Sequence, residues 1–269
     1  MPGPLTILMD NGSLEPAATL ALRGLAAGLS GRIGRPVGPV SLLHSSAIPA
    51  EALNGTAAEI LETALEQRLA TGQSEFLVVP LFFGPSGALT EYLPARIVHL
   101  RTKHPELSLK VAAPLFQTGD DRLARILADQ VRTAGSTPRR VALVDHGSPA
   151  RAVIEVRNEL ARQLGARLGP GFTVAASSME RRARPDYDFC NPLLSTLLRQ
   201  PGWNTGHVTV AMQFLLPGRH AGANGDVETI CWKAEAVSGG ALRTTMTGLV
   251  GEHPLLIDIL ADRWKSAMG

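Results

Sequence analysis

Residues 5–16 read LTILMDNGSLEP and residues 140–151 read RVALVDHGSPAR. Each is a short apolar run, then Asp, then Asn or His, then Gly-Ser. Each leads into a stretch, Ala18 to Leu29 in one case and Val153 to Leu168 in the other, whose apolar residues recur at three and four positions. That is the period of a helix with one buried face. One phrase written twice, about half a chain apart, is too widely spaced for a solenoid repeat and fits a duplicated domain.

The duplication extends outward from these two stretches. Residues 76–94, FLVVPLFFGPSGALTEYLP, answer residues 208–227, VTVAMQFLLPGRHAGANGDV. Both are strand-like runs that end in a Pro/Gly-rich loop. The halves close alike, with VAAPLFQTGDDRLARILADQV at 111–131 and TTMTGLVGEHPLLIDILADRW at 244–264. Strands are expected near Leu5–Met9, Val40–Leu43, Phe76–Leu81 and Ser108–Ala113, and again near Val141–Val144, Thr173–Ala176, Val208–Gln213 and Leu242–Met246. Strands that alternate with helices imply a parallel sheet covered on both faces, and strands buried on both faces read as unbroken apolar runs. The expected fold is therefore α/β: two similar lobes related by internal duplication, each a four-stranded parallel sheet flanked by helices. We place an N-terminal lobe at 1–134 and a C-terminal lobe at 139–269, with residues 134–138 as linker and a cleft between the lobes. Ligands of such sheets bind outside the carboxyl ends of the strands, so chemistry is expected in the loops that follow them.

Composition narrows the function classes. The formal net charge is +2 and charged residues make up 19% of the chain, which gives no global basic field for nucleic acid. No apolar run approaches the roughly 18 residues that cross a bilayer, and no secretory signal is expected. Cys190 and Cys231 form neither a CxxC pair nor a disulfide framework, which suits a reducing cytoplasm. Walker A, GxGxxG and GxSxG patterns are missing, so the usual nucleotide and hydrolase readings lack their motifs.

Three strand-end loops of the second half carry metal-ligand chemistry: His146 after the first strand, Glu180 after the second and His220 after the third. Two imidazoles and a carboxylate suit Fe(II), Co(II), Ni(II) or Zn(II), and three protein ligands leave positions open for exchange. A single histidine after a strand is more often structural than ligating, so the case rests on the three together. Gly147-Ser148 leads into a helix, where backbone N–H groups favour anions and Ser148 is a natural N-cap. Arg181, Arg182, Arg184 and Arg219 beside these loops offer bidentate contacts to carboxylates, or form an ordinary solvated face. Asp226 either caps the helix it starts, the commoner role, or orients a histidine. His207 and His253 read as structural. In the first half Asn11 and Ala88 occupy the two histidine positions, and His44 is placed at the repeat position of Glu180.

A strand ending in HGS (VALVDHGSPA), followed by a strand and a GxH loop ahead of an acidic residue (MQFLLPGRHAGANGDV), resembles the class II tetrapyrrole chelatases, the sirohydrochlorin cobalto- and ferrochelatases. The likeness covers nearly the whole chain. It implies insertion of a divalent metal, Co2+ or Fe2+ with Ni2+ as a further option, into sirohydrochlorin or a related tetrapyrrole in cobalamin or sirohaem biosynthesis. The metal is then a substrate, and no organic cofactor is implied. It also implies that His146 and His220 hold the metal and act in proton removal, that Glu180 completes the coordination, and that Gly147, Ser148 and the four arginines meet the ring's carboxylates. The first half departs from the pattern by lacking the pair, which in long members of the family lies in that half. A fused two-lobe chain implies a monomer, with a dimer as the other option. The alternative from another class is a carrier of tetrapyrrole or metal that keeps the fold without turnover.

Overall fold

A computed structural model describes residues 3–135, 139–222 and 224–269. The first half runs β1 (Leu5–Asp10), α1 (Pro16–Ile33), β2 (Val37–Ser41), α2 (Leu61–Ala70), β3 (Glu75–Pro80), a π-helical turn at Ala88–Tyr92, α3 (Leu93–Lys103), β4 (Ser108–Val111) and α4 (Arg122–Thr133). The second runs β5 (Arg140–Asp145), α5 (Arg151–Leu168), β6 (Thr173–Ser178), α6 (Leu194–Leu197), β7 (Gly206–Met212), α7 (Asp226–Val237), β8 (Leu242–Met246) and α8 (Leu255–Met268). All eight expected strands form, with ends displaced by up to three residues. Of the expected linker, residues 136–138 lie outside the described residues.

Each half builds a four-stranded, all-parallel sheet, in the orders β2-β1-β3-β4 and β6-β5-β7-β8. The two orders are the same permutation, which is the duplication in three dimensions. The central strands are buried on both faces. Ile7, Leu8 and Met9 on β1 and Val141, Ala142, Leu143 and Val144 on β5 are fully enclosed, and burying one large aliphatic side chain contributes about 1.5–3 kcal/mol. Val78, Phe76, Leu65 and Leu100 complete one core; Val210, Leu194, Leu198 and Val227 complete the other.

The closing helices pack differently from their order in the chain. By contact, the chain divides into one unit of residues 1–117 with 254–269 and another of residues 118–253. The expected division at 134–139 follows the sequence repeat, whereas packing places α4 with the second sheet and α8 with the first. On α4 the residues Leu123, Ile126, Leu127 and Val131 form one buried stripe, and Gln130 donates to the carbonyl of Leu249 at 2.6 Å. On α8, Arg263 donates to the carbonyls of Pro114 and Leu115, and the Trp264 indole N–H donates to Thr6 Oγ1 at 3.0 Å. Among the described residues no helix is long and apolar enough to cross a membrane.

Candidate functional site

The site is set by how three strands of the second sheet end together. β5 closes on Asp145, whose register partner on β6 is Ser178. Beyond the strands the ladder continues: Met179 N–H donates to the carbonyl of Asp145 at 2.7 Å, and Glu180 N–H to that of His146 at 3.2 Å. On the other flank Gln213 N–H donates to the carbonyl of Val144 at 2.9 Å. Gly147 has φ +92°, and a Cβ there would stand 2.0 Å from the carbonyl oxygen of Glu180. Only glycine lets the two loops approach so closely.

After β7 the loop folds on itself. Gly218 and Ala221 exchange backbone hydrogen bonds at 2.9 and 3.1 Å, and Val227 N–H at the start of α7 donates to the carbonyl of His220. This brings the ring of His220 to that of His146, with centroids 4.7 Å apart at an interplanar angle of 65°. His146 Nε2 stands 3.5 Å from Glu180 Oε1. All three groups face solvent, with side-chain exposures of 48% for His146, 61% for Glu180 and 35% for His220.

Each imidazole is engaged through Nδ1. His146 Nδ1 lies 2.9 Å from the carbonyl of Gly147, and His220 Nδ1 lies 2.6 Å from Asp226 Oδ2. Carbonyls and carboxylates only accept, so Nδ1 carries the proton in both contacts, and Nε2 of a neutral ring keeps its lone pair. A carboxylate behind an imidazole is the usual way a ligating histidine is oriented and made more basic. Among the described residues no group of three or more His, Cys, Asp and Glu is arranged to hold a metal ion. The three expected ligands are thus grouped around His146, which neighbours both His220 and Glu180, rather than set as a closed cage.

Beneath the loops lies a buried carboxylate. Asp145 Oδ1 accepts from Ser178 Oγ at 2.7 Å and from Gly147 N–H at 3.1 Å. Burial raises its pKa above the ordinary carboxylate value, opposed by the Ser178 hydrogen bond and the charge of Arg157. Burial lowers the pKa of the Arg157 guanidinium.

The four expected arginines fall into two kinds. Arg181 pairs with Asp188 at 3.0 Å and donates to the carbonyls of Arg182 and Arg184, and Arg184 pairs with Asp186 at 2.8 Å. Their charge is largely answered within their own loop. Arg182 lies 5.4 Å from the ring centroid of Tyr187 and donates to its hydroxyl, and Arg219 is 79% exposed with Asp226 3.7 Å away. Arg151, at the start of α5 and not singled out from the sequence, lies 4.5 Å from the centre of the Phe189 ring. A basic residue followed by an aromatic 38 positions later carries no local signal, which explains the omission.

Three expectations change. Ser148 is not the N-cap of α5: Pro149 and an extended Ala150 (φ −88°, ψ 111°) intervene, and Ser148 Oγ instead accepts from Ala150 N–H at 3.1 Å. Asp226 is the first residue of α7, one past the N-cap position held by Gly225, and its carboxylate meets His220. The repeat partner of Glu180 is Leu43, whose N–H donates to the carbonyl of Asn11 as that of Glu180 donates to His146. His44 is one residue further along. Ala88 stands at the His220 position, as expected: Leu81 and Gln213 make equivalent ladder bonds, and Ala88 and His220 each follow them by the same count. The expected structural role of His207 agrees with its contact to Thr245 Oγ1 at 2.7 Å.

The CbiX family model matches residues 5–134. SirB from Bacillus subtilis with Fe3+ superposes with a TM-score of 0.71 at 18% identity, covering 99% of this chain and 96% of that one. SirB from B. subtilis subspecies spizizenii, a sirohydrochlorin chelatase in complex with cobalt, gives 0.69 at 16% identity over 99% and 96%. CbiX, described as the terminal enzyme of sirohaem biosynthesis in denitrifying bacteria, gives 0.61 at 18% identity over 99% and 100%. The two-lobe α/β fold is thus that of these chelatases. No curated protein matches the sequence.

Proposed function

We propose that this chain inserts a divalent metal, Co2+ or Fe2+, into sirohydrochlorin or a closely related tetrapyrrole, and that its working site is the His146–His220 pair. The observation that carries the reading is the 4.7 Å approach of these two rings, each tied through Nδ1 and each leaving Nε2 as a lone-pair donor. The fold shared with SirB and CbiX and the CbiX match over residues 5–134 support it. That match falls on the half where Asn11 and Ala88 replace the histidines, so the activity is assigned to the second half by chemistry rather than by the match.

The reaction exchanges two pyrrole N–H protons for one metal ion. His146 and His220 hold the incoming ion at Nε2 and then take up the released protons; Glu180 swings in from 3.5 Å to complete the set or to relay a proton. A loose, exposed set suits an ion that must leave for the ring. Arg182, Arg219 and Arg151, with the backbone at Gly147-Ser148, face the peripheral carboxylates. The reading needs no organic cofactor, places the enzyme in the reducing cytoplasm and lets a single chain act alone.

The test is an anaerobic visible-spectrum assay with Co(II) or Fe(II) and excess sirohydrochlorin, run beside His146→Ala and His220→Ala. Many turnovers by the wild type and a drop of about 10²-fold or more in either variant are expected, the usual scale for an acid–base group. A spectral shift that stops at one equivalent would instead make the protein a carrier.

A further inference from the structure

Among the described residues the largest fully buried side chain is a charged one, Arg157 on α5, which is 1% exposed. Its terminal Nη1 donates to Ser178 Oγ and, at 2.8 Å, to the carbonyl of Cys190, and stands 3.9 Å from Asp145 Oδ1. Ser178 Oγ in turn donates to Asp145 Oδ1, which also accepts Gly147 N–H. Nε and Nη2 are satisfied by Asn158 Oδ1 at 3.1 and 2.9 Å. Cys190 Sγ reaches the carbonyl of Ser148 at 3.3 Å. One guanidinium therefore ties together the end of β5, the end of β6 and the segment that reaches Cys190. His146 lies between Asp145 and Gly147, and Glu180 lies two residues past Ser178.

The other half supplies the control. Asp10, Asn11, Gly12, Ser13 and the helix start Pro16 recur at one spacing as Asp145, His146, Gly147, Ser148 and Arg151. At that spacing the counterpart of Arg157 is Leu22, also buried. Ser41 and the Gly12 N–H still act on the Asp10 carboxyl against the effect of its burial, yet among the described residues its Oδ1 has no hydrogen-bond partner. Gly12 still has φ +93° and still packs against the carbonyl of Leu43. The strand–loop–helix turn thus closes without an arginine in the half that has no histidine pair. Burying a guanidinium is costly, and an aliphatic residue is often as stable in such a place. The charge is retained where the histidines are.

We infer that Arg157 is a positioning residue: through Ser178, Asp145 and the Cys190 carbonyl it fixes the two loops that present His146 and Glu180 to the metal. This rests on the proposed metal-insertion function, and the test separates the two. In Arg157→Leu, turnover per folded molecule falls by about 10- to 100-fold, the scale for partners that orient ligands, while KM for the tetrapyrrole changes less than about twofold. Arg157→Lys restores part of the loss, and Ser178→Ala, which cuts the link without stranding a charge, reproduces it. Unaltered kcat in folded Arg157→Leu, or in Ser178→Ala should the leucine variant not fold, overturns the inference. So does a loss that merely tracks thermal stability. Histidine side-chain NMR without metal reads the brace independently of any activity. The His146 ring signals shift or broaden in Arg157→Leu or Ser178→Ala, whereas those of His207 stay. Absence of turnover in the wild type overturns the function alone; unmoved His146 signals overturn the brace alone.

Discussion

His220 Nδ1 and Asp226 Oδ2 stand 2.6 Å apart, across the turn that joins the β7 loop to α7. The carboxylate holds the proton on Nδ1 and so directs the Nε2 lone pair outward. Asp226→Asn keeps the shape but lets either tautomer form. We expect kcat to fall about 10- to 100-fold and Co(II) affinity to weaken on the same scale. Titration of the variant with Co(II) beside steady-state assays checks this, and wild-type affinity in Asp226→Asn would remove the orienting role.

Gly147 and Gly12 make one geometry in two places. A Cβ at Gly147 meets the carbonyl oxygen of Glu180 at 2.0 Å, and one at Gly12 meets that of Leu43 at 1.7 Å. Both φ values are positive, so alanine costs backbone energy as well as space, about 1–3 kcal/mol in each case. Both variants should melt at lower temperature. Only Gly147→Ala moves the loop that carries Glu180, so only it should lose turnover per folded molecule. Equal activity losses in the two variants would break the assignment of the site to the second half.

Much of this was legible in the sequence, and the omissions have physical causes. The Asp-X-Gly-Ser repeat gave the duplication, and the unbroken apolar runs gave the strands, because both are local patterns. The His44 placement failed by one residue because strand-end register is set by inter-strand hydrogen bonds that a linear count does not see: β2 has five residues and β6 has six. The pairing of α4 with the second sheet and α8 with the first was invisible, since helical periodicity names a buried face but not its partner. Arg157 hid in plain view. It recurs with Ile154, Leu160 and Ala161 on the buried face of α5, and a comparison with Leu22 at the same repeat spacing would have marked it.

The helix exchange predicts an unusual truncation phenotype. α8 covers the first sheet through Arg263 and Trp264. Removing residues 254–269 should therefore expose the amides of β1–β4, at the opposite end of the sequence, while β5–β7 keep theirs. Hydrogen exchange resolves the two sets. Loss of protection centred on β5–β8 would contradict the packing.

The arginines should divide by how far their charge is already answered. Arg184 is paired with Asp186 and Arg181 with Asp188, whereas Arg182 and Arg151 lie over aromatic rings and Arg219 is largely exposed. Arg182→Ala and Arg219→Ala should raise KM for the carboxylated ring roughly three- to tenfold, and Arg184→Ala should raise it less. The differences should shrink as salt shortens the range of these charges from about 8 Å at 0.15 M.

Asp10 offers a pH test free of the metal site. It is buried, one oxygen has no hydrogen-bond partner among the described residues, and burial is the dominant influence, raising its pKa above 3.8. The folded state therefore holds this proton more tightly than the unfolded chain does. Between the unfolded and folded pKa values the native state binds more protons, so stability falls as pH rises through that window and is level above it. Asp10→Asn removes the charge and with it the decline. At pH 7 the variant should be more stable than the wild type, on the order of 1 kcal/mol for relieving a buried, half-satisfied carboxylate. Below the unfolded pKa the two should converge. Asp145→Asn is the contrasting case, because the Arg157 guanidinium beside Asp145 opposes the effect of burial there; its gain at pH 7 should be smaller than that of Asp10→Asn. Thermal unfolding of the three proteins from acid to neutral pH decides the matter: a gap between Asp10→Asn and wild type that is the same at every pH would show that the buried proton is not its cause.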